Sequence, residues 1–184
     1  MNLRLVEPLE RMARWDGAIA LRLNRTACRA WVRAPFTIVS RLGDGVFWYA
    51  LMLALLLKFQ QDAAPAVLHM IAAGLTCTAL YKWLKGKTLR PRPYETCPGL
   101  VRFAAPLDPF SFPSGHTLHA VAFTLVALEY YPVLAWLTVP FTLLVAASRV
   151  ALGLHYPSDV LAGAALGAVV AALSFYLVGY WGVV

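Results

Sequence analysis

The sequence is short of charge, and of acidic charge most of all. Of its 184 residues only 14% are charged, 9 acidic against 16 basic, while 60% are hydrophobic and the mean hydropathy is +0.65. That composition excludes an ordinary soluble domain and points to a bilayer protein. The charges are missing in blocks: 19 uncharged residues separate Asp62 from Lys82, another 19 separate Glu129 from Arg149, and none is charged after Asp159. Each block approaches the roughly 20 apolar residues that a helical crossing needs. Cysteine is scarce too. Cys28, Cys77 and Cys97 form neither a CxxC pair nor an even set, which argues against a disulfide framework or a zinc site and leaves them as packing residues. The first residues alternate charge with apolar side chains and hold no continuous apolar run, so no signal peptide is expected and insertion uses the internal spans. No internal repeat or low-complexity tract is visible.

What is present divides into a basic, amphipathic region over 1–41 and an apolar core over 43–184, read together as a single membrane domain. The first region carries eight arginines between Arg4 and Arg41 against three acids, with Leu3, Leu5, Leu9, Met12, Ala13, Ile19, Leu21 and Leu23 interleaved. This predicts one or two amphipathic helices lying on anionic headgroups and makes a nucleic-acid-binding arm improbable. Spans are predicted over about 43–60, 64–81, 114–131 and 133–151, with a fifth opening at Pro157, a favoured first-turn residue. The expected fold is therefore all-α and integral to the membrane, with about five transmembrane helices in one bundle. Ala162-Gly163-Ala164-Ala165 and Gly167 supply the small residues that let helices approach closely in lipid. Trp48-Tyr49 and Tyr180-Trp181 suggest interfacial aromatic belts.

Between the second and third spans lies a long polar connection, 82–113, rich in Lys, Arg and Pro; connections of this length are usually functional or disordered. Counting span ends places this connection, the start of span three, the end of span four and the start of span five on one side of the membrane. That shared face collects Lys85, Lys87, Arg90, Arg92, Ser114, His116, Arg149, His155 and Asp159. Charges so near a bilayer are costly unless paired or used. Several cations beside one acid call for an anion, and the planar fork of arginine suits phosphate oxygens. In Pro113-Ser114-Gly115-His116, Ser114 is a natural N-cap, and the first-turn N–H groups behind Gly115 offer an anion seat. His155 and Asp159 stand four apart across a helix start, a spacing that lets the carboxylate reach one imidazole nitrogen and leave the other free to attack. Other residues have plainer expected roles. Lys82, Lys87 and Arg90 are expected to anchor headgroups, His69 to be a hydrogen-bonded packing residue, Glu129 to be interfacial, and His119 is a candidate support for His116. A His-His-Asp metal set sits poorly among three or more cations, which repel a divalent ion.

Lys85-(six residues)-Arg92-Pro93, then Pro113-Ser114-Gly115-His116, then Ser148-Arg149-(five residues)-His155-(three residues)-Asp159 resembles the three-part signature of the type-2 phosphatidic acid phosphatase family, whose soluble relatives include vanadium haloperoxidases. Of two Arg-Pro pairs only that of Arg92 has a lysine seven positions earlier. The resemblance implies a nucleophilic His155 that forms a phosphohistidine, an orienting Asp159, and a His116 that protonates the leaving oxygen and later activates water. It assigns Lys85, Arg92, Ser114, Gly115 and Arg149 to the phosphate cradle, with no metal and no cofactor. Its implied substrates are lipid phosphates in a bacterial inner membrane: undecaprenyl diphosphate, phosphatidylglycerol phosphate, phosphatidic acid or a lipid A phosphate, the first favoured only as the more frequent in the family. A lipid-to-lipid phosphotransferase and a catalytically inactive lipid-binding protein are the alternatives. Oligomeric state is not legible. Orientation is contested: all Lys and Arg but Lys58 fall on the catalytic face, which the positive-inside rule puts in the cytoplasm, whereas the family more often works on the outer face.

Overall fold

A computed structural model describes the backbone over residues 3–180 and the side chains over residues 13–179. Among the described residues there are eight α-helices and no strand: α1 (Leu3–Thr26), α2 (Ala30–Arg41), α3 (Phe47–Phe59), α4 (Ala64–Thr88), α5 (Pro93–Thr96), α6 (Gly115–Tyr130), α7 (Ala135–Ala151) and α8 (Pro157–Tyr180). The predicted spans appear as α3, α4, α6, α7 and α8. Three helical stretches, Ala30–Thr96, Pro132–Ala151 and Pro157–Gly179, are long and apolar enough to cross a membrane. At 16 residues α6 is about 24 Å long, short of a hydrocarbon core of about 30 Å, so length alone does not make it a crossing.

The bundle is built around α6, which packs on α4, α7 and α8. Its centre holds Trp48, Met70, Leu118, Val126 and Val145, all essentially buried. The outward faces are also apolar: Trp136 is 89% exposed and Leu57 75%, with Leu68, Leu143, Leu161 and Leu173 in the same condition. Water would not tolerate a continuous surface of this kind, whereas lipid tails are its natural solvent. Threonines lace α6 to α7, with the Thr124 and Thr142 hydroxyls 2.7 Å apart and Thr142 donating to the Ala120 carbonyl at 3.2 Å. The small residues of α8 do what their spacing suggests. A Cβ at Gly163 would lie 2.5 Å from the Ser114 carbonyl oxygen, and one at Gly167 would lie 2.4 Å from that of Leu118. Only glycine lets α8 lie this close to the first turns of α6.

Several sequence expectations are revised. Helix α4 continues two turns past Tyr81, to Thr88, and so carries Lys85 on a helix rather than in the connection. Apolarity ends at the headgroups, but the helix does not, and lysines in its last turns suit its dipole. Region 1–41 does not merely rest on the surface. Asp16, Ala20 and Asn24 form a buried stripe of α1 that continues to Ala27 in the turn after it, while Arg22, Arg25 and Arg29 are exposed. Asn24 donates to the carbonyls of Val101 at 2.8 Å and Ala151 at 3.0 Å and accepts from the Val101 N–H at 2.9 Å. The side chains of Leu3, Leu5, Leu9, Met12, Tyr180 and Trp181 lie outside the described residues. Trp48 is a core residue, not a belt residue, packed against Phe47, Phe123 and Phe141, whereas Tyr49 is exposed. Cys77 packs internally, Cys97 is half-buried, and Cys28 is exposed rather than packed. His69 is buried and pairs its Nδ1 with the Tyr130 hydroxyl at 3.1 Å, as a packing histidine should.

Candidate active site

Four parts of the chain converge at one end of the bundle. The end of α4 supplies Lys85, the connection supplies Arg92, the N-terminus of α6 supplies Gly115 and His116, and the end of α7 with the turn after it supplies Arg149 and His155. All six line one cavity of about 330 Å³. Its other wall is apolar, formed by Trp48, Met52, Ile71, Leu75 and Phe123. The turn between α7 and α8 is tied by the N–H groups of Leu154 and His155, which both donate to the Arg149 carbonyl at 3.0 and 3.1 Å. This fixes the imidazole beside the guanidinium.

His155 is 1% exposed. Its Nε2 lies 3.4 Å from Arg92 Nη1 on the cavity side, and its Nδ1 points toward Asp159 Oδ2 at 3.7 Å, beyond hydrogen-bond length. Nδ1 has no hydrogen-bond partner. The expected His155–Asp159 pair is thus adjacent and correctly aimed but open. Burial, and after it the positive charges of Arg149, Arg92 and Lys85, hold the imidazole well below its ordinary pKa. It is neutral at physiological pH, with a lone pair available.

Ser114 is the N-cap residue of α6 by position, but its buried hydroxyl pairs with Thr117 Oγ1 at 3.0 Å instead of capping the helix, and it does not line the cavity. Its N–H donates to the Asp159 carbonyl at 3.0 Å, which couples the second motif to the third. Arg149 is buried, donates Nη1–H to the Ser40 hydroxyl of α2, and leaves Nε without a partner. Arg92 is 1% exposed and heavily engaged: Nε and Nη2 donate to the Asp108 carbonyl at 3.0 and 2.8 Å, and Nη1 donates to that of Leu154 at 2.7 Å. It therefore holds the connection in place as well as facing the cavity. His119 also lines the cavity, with Nδ1 2.8 Å from the Gly115 carbonyl and Nε2 3.0 Å from the Thr78 hydroxyl, and so supports the first turn of α6.

The structure adds residues that the motifs do not contain. Asp108 sits among the cations: Lys85 Nζ donates to both of its oxygens at 2.7 Å, and Arg92 Nη2 to one of them at 3.1 Å. Burial alone would raise its pKa, but the bond from Lys85 and the charges of Lys85 and Arg92 outweigh burial and hold the carboxyl below its ordinary value. Asp44 lies 2.5 Å from His116 Nε2. It stands on a π-helical turn, Leu42–Val46, that breaks at Gly45 with φ 133°. The Gly43-Asp44-Gly45 pattern was a usable signal for such a break, whereas nothing in the local sequence marks Asp108. Arg90 is not a headgroup anchor; it is half-buried and bridges Asp159 at 2.6 Å and Asp16 at 2.8 Å. Among the described residues no group of three or more His, Cys, Asp or Glu is placed to hold a metal ion.

The chain is 28% identical over 110 residues to the bacitracin transport permease protein BcrC of Bacillus licheniformis, and 32% identical over 132 residues to the undecaprenyl-diphosphatase BcrC of Bacillus subtilis strain 168. These alignments take in 60% and 69% of this chain and 54% and 66% of those proteins. The chain thus spans between half and two thirds of the length of the curated relatives it matches. Among solved structures, the first transmembrane PAP2 type phosphatidylglycerolphosphate phosphatase from Bacillus subtilis superposes with a TM-score of 0.74 at 25% identity, over 91% of this chain and 86% of that one. LpxE of Aquifex aeolicus shares the fold, with a TM-score of 0.66 at 23% identity over 86% of this chain and 93% of that one. Residues 62–182, which carry all three motifs and every cavity-lining cation, match the family model of the PAP2 superfamily, and the chain is an integral membrane protein belonging to that superfamily.

Proposed function

We propose that this protein is a metal-independent lipid phosphatase that hydrolyses a phosphomonoester or diphosphate on a lipid headgroup through a phosphohistidine at His155. The observation that carries this reading is the cavity itself: a neutral, buried imidazole faces a space lined by Lys85, Arg92, Arg149 and the Gly115 end of a helix, opposite an apolar wall. Such a space suits a phosphate whose tail lies among Trp48, Met52, Ile71, Leu75 and Phe123. In the first step Nε2 of His155 attacks phosphorus, the bond from phosphorus to the leaving oxygen breaks, and His116 protonates that oxygen. In the second step His116 takes a proton from water, the resulting oxygen attacks phosphorus, and the N–P bond breaks to release phosphate and restore His155. Asp44 accepts the proton on His116 Nε2 and so fixes the orientation of the ring toward the cavity. The fixed cations and backbone dipoles stabilise charge on the transferring group.

The undecaprenyl-diphosphatase relative from Bacillus subtilis and the apolar wall favour undecaprenyl diphosphate as substrate, with phosphatidylglycerol phosphate next from the structural likeness. Five crossings, by α3, α4, α6, α7 and α8, a single domain over 1–184, placement in a bacterial inner membrane, and a catalytic face on the cytoplasmic side belong to the same proposal. The test is phosphate release by the purified chain in detergent from a panel of these lipid phosphates, with no acceptor lipid added. Release of inorganic phosphate that survives EDTA and is inhibited by vanadate is expected. Transfer only to a second lipid, or EDTA inhibition reversed by Mg²⁺, would overturn the reading. Labelling of cysteines placed in 101–107 of intact cells decides the orientation.

A further inference from the structure

Behind His155, on the side away from the cavity, a chain of charged groups runs to the N-terminal helix. The Asp159 carboxylate is fully buried and held from two sides: Arg90 Nη1 donates to Oδ1 at 2.6 Å, and the Tyr156 N–H donates to Oδ2 at 2.8 Å. Held so, Oδ2 lies 3.7 Å from the unpartnered Nδ1 of His155, and a shift of less than about 1 Å closes the bond. Arg90 is itself immobilised. Its guanidinium carbon stands 4.1 Å from the centroid of the Tyr156 ring, Nη1 also donates to the Ser158 hydroxyl at 2.8 Å, and Nη2 donates to Asp16 Oδ2 at 2.8 Å. Asp16, on α1, is buried in turn, accepts the Ser158 N–H at 2.9 Å, and takes the Ser158 hydroxyl as a second donor.

Resting on the proposed nucleophilic role of His155, we infer that Arg90 and Asp16 are positioning residues for the reaction: they aim the Asp159 carboxylate at Nδ1 of His155 and so make the N-terminal helix a working part of the active site. The physical reason is that a buried carboxylate without its cation either takes up a proton or moves, and in both cases ceases to hold the imidazole. Arg90 supplies that cation. Asp16 prevents the guanidinium from swinging away and, seated at the N-terminus of α8, is favoured there by the helix dipole. None of the three touches the cavity. Their loss should therefore act on the nucleophile and not on phosphate binding.

The test uses the full chain in detergent with dioctanoyl phosphatidic acid as substrate and inorganic phosphate as inhibitor. Arg90→Gln should lower kcat by about 10²-fold and Asp16→Asn by about 10-fold, with KM and the phosphate inhibition constant within about threefold of the unaltered protein. Arg90→Lys should recover part of the loss. The double variant should be no slower than Arg90→Gln alone, because the effect of Asp16 passes through Arg90. A kcat within twofold in folded Asp16→Asn and Arg90→Gln proteins, a loss expressed in KM instead, or multiplying losses in the double variant would each overturn the inference. Should Arg90→Gln fail to fold, Asp16→Asn and Asp16→Glu decide. A second readout is independent of turnover: in protein labelled with ¹⁵N-histidine, the downfield proton on His155 Nδ1 should be present in the unaltered chain and lost in Arg90→Gln. If the unaltered chain releases no phosphate, the proposed activity fails, and that resonance alone upholds or overturns the positioning of His155.

Discussion

Asp108 pairs with Lys85 and Arg92, two of the cations proposed to hold the substrate phosphate, and replacing it with asparagine separates competition from support. Lys85 Nζ holds both carboxylate oxygens at 2.7 Å. A phosphate oxygen on the same ammonium group, at an ordinary donor distance, lies about 4–5 Å from them. Two unit charges about 4.5 Å apart repel by about 3.7 kcal/mol at an effective dielectric constant of about 20. The Asp108 side chain is 30% exposed, and screening plus movement of the loop leaves about 1.4 kcal/mol, a tenfold effect. In Asp108→Asn the two bonds from Arg92 to the main-chain oxygen of residue 108 persist, so the loop should stay in place. The assay is inhibition of lipid phosphate hydrolysis by inorganic phosphate, and the inhibition constant should fall about tenfold. An unchanged or larger constant would refute this reasoning and show that Asp108 aims the cations rather than competing with the substrate.

His155→Ala should lower phosphate release by at least about 10³-fold in protein that remains folded, and a variant retaining a tenth of the activity would rule out the histidine as nucleophile. Stability should depend on His155 in acid. The unfolded chain protonates it near pH 6.5, and the folded chain does so only at much lower pH, so the unfolded state binds more protons. Stability therefore rises with pH through that window and is lost below it: the melting temperature in detergent should fall from pH 7 to 5, and His155→Gln should flatten that slope. Gly163→Ala places a methyl carbon 2.5 Å from the Ser114 carbonyl oxygen, about 1 Å inside contact distance. Such overpacking costs roughly 1–3 kcal/mol, and the shift of α6 should depress activity at temperatures where the protein is still folded. Full activity with an unshifted melting curve would show that α8 yields without disturbing Ser114.

The comparison between sequence and structure is clearest at the carboxylates. Asp159 was legible because it stands four residues from His155 at a helix start, a local spacing that any helix converts into proximity. Its actual partners were not legible. Arg90 comes from the connection after α4, Asp16 from α1 142 residues before Ser158, and Asp44 meets His116 across 72 positions. No periodicity within one element reports such pairings. Asp16 did carry a faint signal, an acid in register with Ala20 and Asn24 on the face of a basic helix that turns out to be buried. Trp48 illustrates the converse error: an aromatic at a span end looks interfacial until the packing of α3 on α6 and α7 encloses it.

By itself the sequence determined the membrane setting, the helices that carry the bundle and the three motifs, because uncharged blocks report the solvent of a helix and fixed spacings report which side chains share a turn. The tertiary structure alone decided which charges face one another. That is set by how closely α8 can lie on α6 at Gly163 and Gly167, by where α1 docks, and by the path of the connection that places Asp108 on Lys85. These contacts depend on the shape of the packed bundle, and no short stretch of residues contains that shape.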